Sequence, residues 1–152
     1  ISAMGITTAP THMEWFFGSE GLKFSEIACR PPGVSVWDLF CAINDIDLYK
    51  MWARGVSGAK IVQKSSRRFA GGMISIRPNK DGRVSGYTGM EQIQKRYGKN
   101  IIKAYLPPQG SATQPIEAGY RANAWMFVRH PDYDQLRRIM DDIGSTLKMW
   151  AD

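Results

Sequence analysis

Covalent catalysis needs a nucleophile with a base in reach, and this sequence offers few of either. Cys41 and His130 are a thiol and an imidazole far apart in the chain, a separation that some thiol hydrolases close in space. Cys41, however, falls about two turns into an apolar helical pattern, beside Trp37 and Phe40. A reactive thiolate is favoured in the first turn of a helix, where backbone dipoles lower its pKa. Cys41 therefore reads as a small core residue, and His130, followed by Pro131, as a cap at a strand-to-helix junction. The acidic pairs Asp45 and Asp47, Asp132 and Asp134, and Asp141 and Asp142 fit helix ends or solvent faces. They would hold Mg²⁺ for a nuclease only if the fold gathered them. Cys29 and Cys41 with His12 and His130 are too few for a disulfide scaffold or a zinc module. No phosphate-binding loop or dinucleotide fingerprint is present, so the glycines read as turn residues. No catalytic residue, metal or cofactor is expected.

Charge is the stronger signal. Residues 1–59 carry a balance of −2 and residues 104–152 one of −1, so the whole excess of +6 comes from residues 60–103. That stretch holds Lys60, Lys64, Arg67, Arg68, Arg77, Lys80, Arg83, Lys95, Arg96, Lys99 and Lys103 against Asp81 and Glu91. A concentration of this kind suits a polyanion, because each neutralised phosphate releases condensed counterions. Phe69 and Tyr105, flanked by basic residues, could stack bases while Lys and Arg follow the backbone. Lys95, Arg96 and Lys99 also have a structural reason to lie at a helix C-terminus, where positive charge favours the macrodipole. Arg67 and Arg68 have no such reason. Lys80 and Arg83 lie on a turn.

These side chains need elements to hold them. Residues 23–30 alternate as a strand and end at Arg30-Pro31-Pro32-Gly33. Ser35 as N-cap with Asp38 three residues on predicts a helix over about 35–46, extended or restarted through Leu48 to Trp52. Strands are predicted at 59–64 and 69–77, with Gly71-Gly72 marking a bulge or a close backbone approach. Pro78 to Gly82 is a turn, and Gly89 to Tyr97 a short helix ended by a left-handed Gly98. A strand over 100–106, a loop over 107–117 and a strand over 120–129 follow. Pro131 then opens a final helix whose stripe runs Leu136, Ile139, Met140, Ile143, Leu147 and Trp150. Assigning the core side of each strand by its best apolar set leaves Phe24 and Arg30, then Phe69, Met73 and Arg77, then Lys103 and Tyr105 on the opposite faces. The last strand adds Arg121, Asn123, Trp125, Phe127 and Arg129.

Over residues 23–106 the order is strand, helix, strand, strand, helix, strand, the βαββαβ order of ferredoxin-like domains. It resembles that of RNA-recognition motifs. Arg67, Arg68, Phe69 and Ala70 resemble the first half of that family's third-strand motif, with Arg68 in place of its glycine and Gly71 in place of its second aromatic. The resemblance implies single-stranded nucleic acid as ligand.

The chain has 152 residues, 43% of them hydrophobic and 22% charged, enough to bury a core without disulfides. Residues 1–12 carry no charge and precede His-Met at 12–13, so they read as a cloning-derived tail before a single domain over 13–152. With no apolar run of membrane length and no secretory leader, an intracellular protein without membrane contact is expected. The fold class expected is α+β, one antiparallel sheet of ferredoxin-like order with a fifth strand and a C-terminal helix. The function expected is nucleic-acid binding, of single-stranded RNA or DNA, without catalysis. A protein-interaction or assembly module, as a homodimer or with an acidic partner, is the alternative, and a small nuclease or cysteine hydrolase ranks below it.

Overall fold

The computed structural model describes residues 1–115, 117 and 123–152. A hairpin of β1 (His12–Gly18) and β2 (Gly21–Ala28) opens the chain. Two short helices follow, α1 (Val36–Asn44) and α2 (Leu48–Val56). Next come β3 (Ala70–Ile76), β4 (Val84–Thr88), α3 (Met90–Tyr97), β5 (Ile101–Tyr105) and β6 (Ala124–His130). The long helix α4 (Tyr133–Thr146) and the strand β7 (Lys148–Ala151) complete the order. The class is α+β with antiparallel sheets and, among the described residues, four α-helices.

The single ferredoxin-like sheet does not form. The strands divide among three ladders, β1-β2, β3-β6-β5 and β4-β7. Residues 59–64, expected as a strand, run without regular structure. Their neighbourhood is tied by single bonds to helix ends instead of a ladder. The Arg54 Nε donates to the Lys60 carbonyl at 2.8 Å, the Asp47 amide to Gln63 Oε1 at 3.0 Å, and the Ser66 amide to the Asn44 carbonyl at 2.8 Å. The strand read over 120–129 begins at Ala124; Tyr120, Arg121 and Ala122 lie outside the described residues.

Two glycines set the layering around β3-β6-β5. Successive strand residues point to opposite faces, and here both faces are covered. A Cβ on Gly71 would stand 2.6 Å from the Ile43 Cγ2 of α1, and one on Gly72 would collide with the Met140 sulfur of α4. The helices thus approach the same strand from opposite sides, which is why its sequence carries two adjacent glycines. On the α4 side Ile74 and Ile76 face Met126 and Ala124 across the ladder. Ile93, Leu136, Ile139 and Ile143 close over them. Each such aliphatic chain stabilises the fold by roughly 1.5–3 kcal/mol when fully buried.

Helix boundaries follow local chemistry. Asp47 caps α2 by accepting the Lys50 amide at 2.9 Å, and Asp132 caps α4 by accepting the Gln135 amide at 2.8 Å. Ser35 precedes α1 but is left-handed (φ 57°) and its side chain makes no cap bond, so the expected capping motif is absent. Gly98 is right-handed (φ −51°) and opens a short 3₁₀ turn rather than a left-handed cap. The last helix ends at Thr146. Trp150 belongs to β7, where Met149 and Ala151 are buried while Lys148 and Trp150 point out. No helix among the described residues is long and apolar enough to cross a membrane.

Candidate functional site

The face of β3-β6-β5 turned toward α1 carries Met73, Trp125 and Tyr105 at one end and Gly71, Arg129 and Phe127 at the other. Helix α1 covers only the second end. Where it starts, Val34 and Ser35 stand off the sheet and leave a cavity of about 370 Å³. Met73, Tyr105 and Trp125 form its floor. Pro107, Ser111, Ala112 and Gln114 supply one wall, and Asn123 the corner.

That wall is fixed, although it belongs to a loop. The Val84 amide donates to the Ser111 carbonyl at 2.9 Å, the Gly110 amide to the Val84 carbonyl at 2.7 Å, and the Thr113 amide to the Gly82 carbonyl at 2.8 Å. The Tyr87 hydroxyl donates to the Pro107 carbonyl at 2.8 Å, and burial pushes its pKa upward. Buried Asn123 closes the loop on itself, accepting the Gln114 amide at 2.5 Å and donating to the Gln114 carbonyl at 3.0 Å. The floor is a run of rings. Trp125 lies 6.2 Å from Tyr105 and 4.7 Å from Phe127 between centroids, and the Lys103 ammonium sits 5.8 Å from the Trp125 ring. Apolar rings, hydroxyls of Ser35, Ser111 and Tyr105, the Gln114 amide and one ammonium over the Trp125 ring suit a small amphiphilic molecule.

A shallower groove of about 520 Å³ continues from Lys103 past Phe127 to Asp38, Cys41 and Tyr49. Tyr49 donates its hydroxyl to Asp38 Oδ1 at 3.0 Å, which raises the tyrosine pKa. The Cys41 sulfur accepts the Leu48 amide at 3.2 Å. His130 lies across the sheet from it, its Nδ1 taking the Asp132 amide at 3.0 Å, so the two form no nucleophile–base pair. No three acidic, His or Cys side chains among the described residues gather as a metal site.

The basic residues do not share one face. Arg68 pairs with Asp45 at 2.6 Å beside the end of α1, which holds the Asp45 carboxyl below its ordinary pKa. Arg96 pairs with Asp142 of α4 at 3.0 Å, on the other side of the sheet. Phe69 lies beneath Arg129, whose guanidinium carbon is 4.5 Å from the ring centroid, with Arg68 at 6.0 Å. Arg83 donates to the Gly110 carbonyl at 2.8 Å. Lys60, Lys64, Arg67, Arg77, Lys80, Lys95 and Lys99 are exposed and spread over the segment before β3, the β3–β4 turn and the end of α3. Of the predicted site residues, Tyr105 lines the cavity and Lys103 lies over the Trp125 ring, lining the adjoining groove.

No protein-family model matches the chain, and no curated protein matches it. Solved structures do match. An L-amino acid ligase from Bacillus licheniformis superposes with a TM-score of 0.73 at 15% identity, over 99% of this chain and 40% of that one. A phosphoribosylglycinamide synthetase from Anaerococcus prevotii gives 0.70 at 13% identity, over 99% and 39%. An N5-carboxyaminoimidazole ribonucleotide synthetase from Thermotoga maritima gives 0.64 at 15% identity, over 93% and 37%. The fold is ATP-grasp-like. The chain spans about two fifths of the length of these structures.

An ATP-grasp-like fold overturns the nucleic-acid reading and the resemblance to RNA-recognition motifs. The neighbours are ligases and synthetases, and of the basic residues that suggested a polyanion Arg68 pairs with Asp45 beside α1 whereas Arg96 pairs with Asp142 of α4. Sequence reasoning placed Met73, Tyr105, Asn123 and Trp125 on one strand face by alternation. It missed that Val34, Ser35, Ser111 and Gln114 close that face into a cavity, because only the tertiary approach of two loops does so.

Proposed function

We propose that this chain is part of an ATP-grasp-like ligase and that the cavity at the start of α1 receives a small organic substrate of the amino-acid class. The observation that carries this reading is the superposition of nearly the whole chain on an L-amino acid ligase, with two synthetases sharing the fold. The cavity chemistry agrees. The rings of Trp125 and Tyr105 would cover an apolar side chain, the Ser35 and Ser111 hydroxyls and Gln114 would meet its polar atoms, and Lys103 would attract a carboxylate. Because the matched structures are much longer, the chain supplies a portion of the working enzyme, and the nucleotide would be held jointly with the remainder.

An NMR titration of the chain with a panel of L-amino acids tests the substrate site. Shifts should cluster at Ser35, Tyr105, Gln114 and Trp125, and Tyr105→Ala should weaken the best ligand about tenfold by removing one ring of the floor. Absence of any saturable shift in these residues across the panel would sink the reading.

A further inference from the structure

No carboxylate is among the described residues that line the cavity at the start of α1, and the cation beside it is Lys103, over the Trp125 ring. A basic side chain would enter without a counter-charge, and an acidic one would compete with the substrate's own carboxylate for a single ammonium. The cavity therefore suits an uncharged side chain. Its floor then separates aromatic from aliphatic ones. Trp125 packs against Phe127, which is only 1% exposed, at 4.7 Å between centroids. Tyr105 stands 6.2 Å from Trp125 at a tilt of 31° and remains 50% exposed. Ring pairs attract at roughly 4.5–7 Å, so the Trp125–Tyr105 pair is a loose one. A flat ring laid across both would make two further ring pairs, and the Met73 thioether in the same floor offers it a sulfur contact. An aliphatic chain of equal size gains the buried area alone.

The wall facing this floor is rigid. Gly110 and Ser111 are bonded to Val84, Thr113 to Gly82, and Asn123 holds Gln114 by both its amide and its carbonyl. At about 370 Å³ the cavity is at the small end of ligand sites. A fixed, small space favours a planar side chain with few torsions, since a long flexible chain loses more rotamer freedom on entry.

We propose that this cavity selects an aromatic L-amino acid and that Trp125 and Tyr105 are the residues that set the specificity. The proposal rests on the reading of the cavity as the amino-acid site. The ring of the substrate lies across Trp125 and Tyr105, and its carboxylate turns toward Lys103. The hydroxyl oxygens of Ser35 and Ser111 and the Gln114 side chain are left as neutral acceptors for the amino group.

Calorimetric titration of the full chain with L-phenylalanine, L-leucine and L-cyclohexylalanine tests this, because cyclohexylalanine has nearly the outline of phenylalanine without its π system. Phenylalanine should bind about tenfold more tightly than either of the others. Tyr105→Leu and Trp125→Leu should each remove most of that preference, while leucine binding changes by no more than about twofold because apolar area is largely kept. A merely structural role would weaken all three ligands alike. Circular dichroism checks that each variant is folded, and half-exposed Tyr105 carries the test if Trp125→Leu is not. Leucine or cyclohexylalanine binding as tightly as phenylalanine overturns the proposal and leaves the ligase reading standing, and so does a preference for phenylalanine that both variants retain. Uptake of none of the three, nor of any other amino acid, overturns the proposal together with the substrate part of that reading.

Discussion

Asp142 collects three donors, the Tyr97 hydroxyl at 2.6 Å, Arg96 Nη1 at 3.0 Å and the Thr146 hydroxyl at 3.2 Å. These bonds, the Tyr97 hydroxyl first, hold its carboxyl below the ordinary value of 3.8. A carboxylate depressed in the folded state stabilises it above the unfolded pKa, and that contribution is lost as pH falls through the lower folded value. Melting curves between pH 2 and 6 should therefore show wild-type protein losing stability below about pH 4 more steeply than Asp142→Asn, which lacks the titrating group. Gly72→Ala is the second residue-scale test. Its new methyl meets Met140, so denaturant titration should show a loss of about 1–3 kcal/mol, and adding Met140→Ala should cost less in that background than alone. The sequence marked this glycine pair as a bulge or a close approach, and the unbroken register of β3 against β6 leaves the close approach. The sequence did not reveal what approaches, because Ile43 and Met140 come from helices on opposite sides.

The helices differ in how they begin, and the difference is measurable. Asp47→Ala and Asp132→Ala should each cost about 1 kcal/mol in denaturant titration, because each carboxylate accepts an amide at the head of its helix. Ser35→Ala should change stability by no more than a few tenths of that, since its hydroxyl caps nothing. All four helices were legible in period and spacing, as were β2, β3, β5 and the described part of the strand over 120–129. The other strands were hidden for separate reasons. β1 starts in a stretch read as a cloning-derived tail and contains Trp-Phe-Phe in place of alternation. β4 is five residues long with Gly86 at its centre. β7 hid behind Leu147 and Trp150, which continue the helical stripe of α4 in sequence while the backbone at Leu147 has turned extended (ψ 118°). Residues 59–64 err the other way, having strand composition without a strand to pair with. Pairing is a property of distant segments, and periodicity within one segment carries no record of it.

Across the whole molecule, stability is unevenly shared. β6 is paired on both edges and covered on both faces, with Met126, Phe127 and Val128 at 1% exposure or less, whereas the hairpin stands nearly bare. Native-state hydrogen exchange should be slowest at the amides of β6 and fastest in β1 and β2, by a difference approaching the global unfolding free energy. The central place of β6 also bears on synthesis. β3 and β5 leave the ribosome first, and neither pairs with the other; each waits for a strand that follows them both in the chain. At about 5–20 residues per second, the stretch from Tyr105 to His130 takes roughly 1–5 s to make. For that interval neither strand has the ladder partner that lies between them in the finished sheet. Rare codons in this stretch would lengthen the interval, and yield in the cell would then depend on the chaperones that hold a nascent chain.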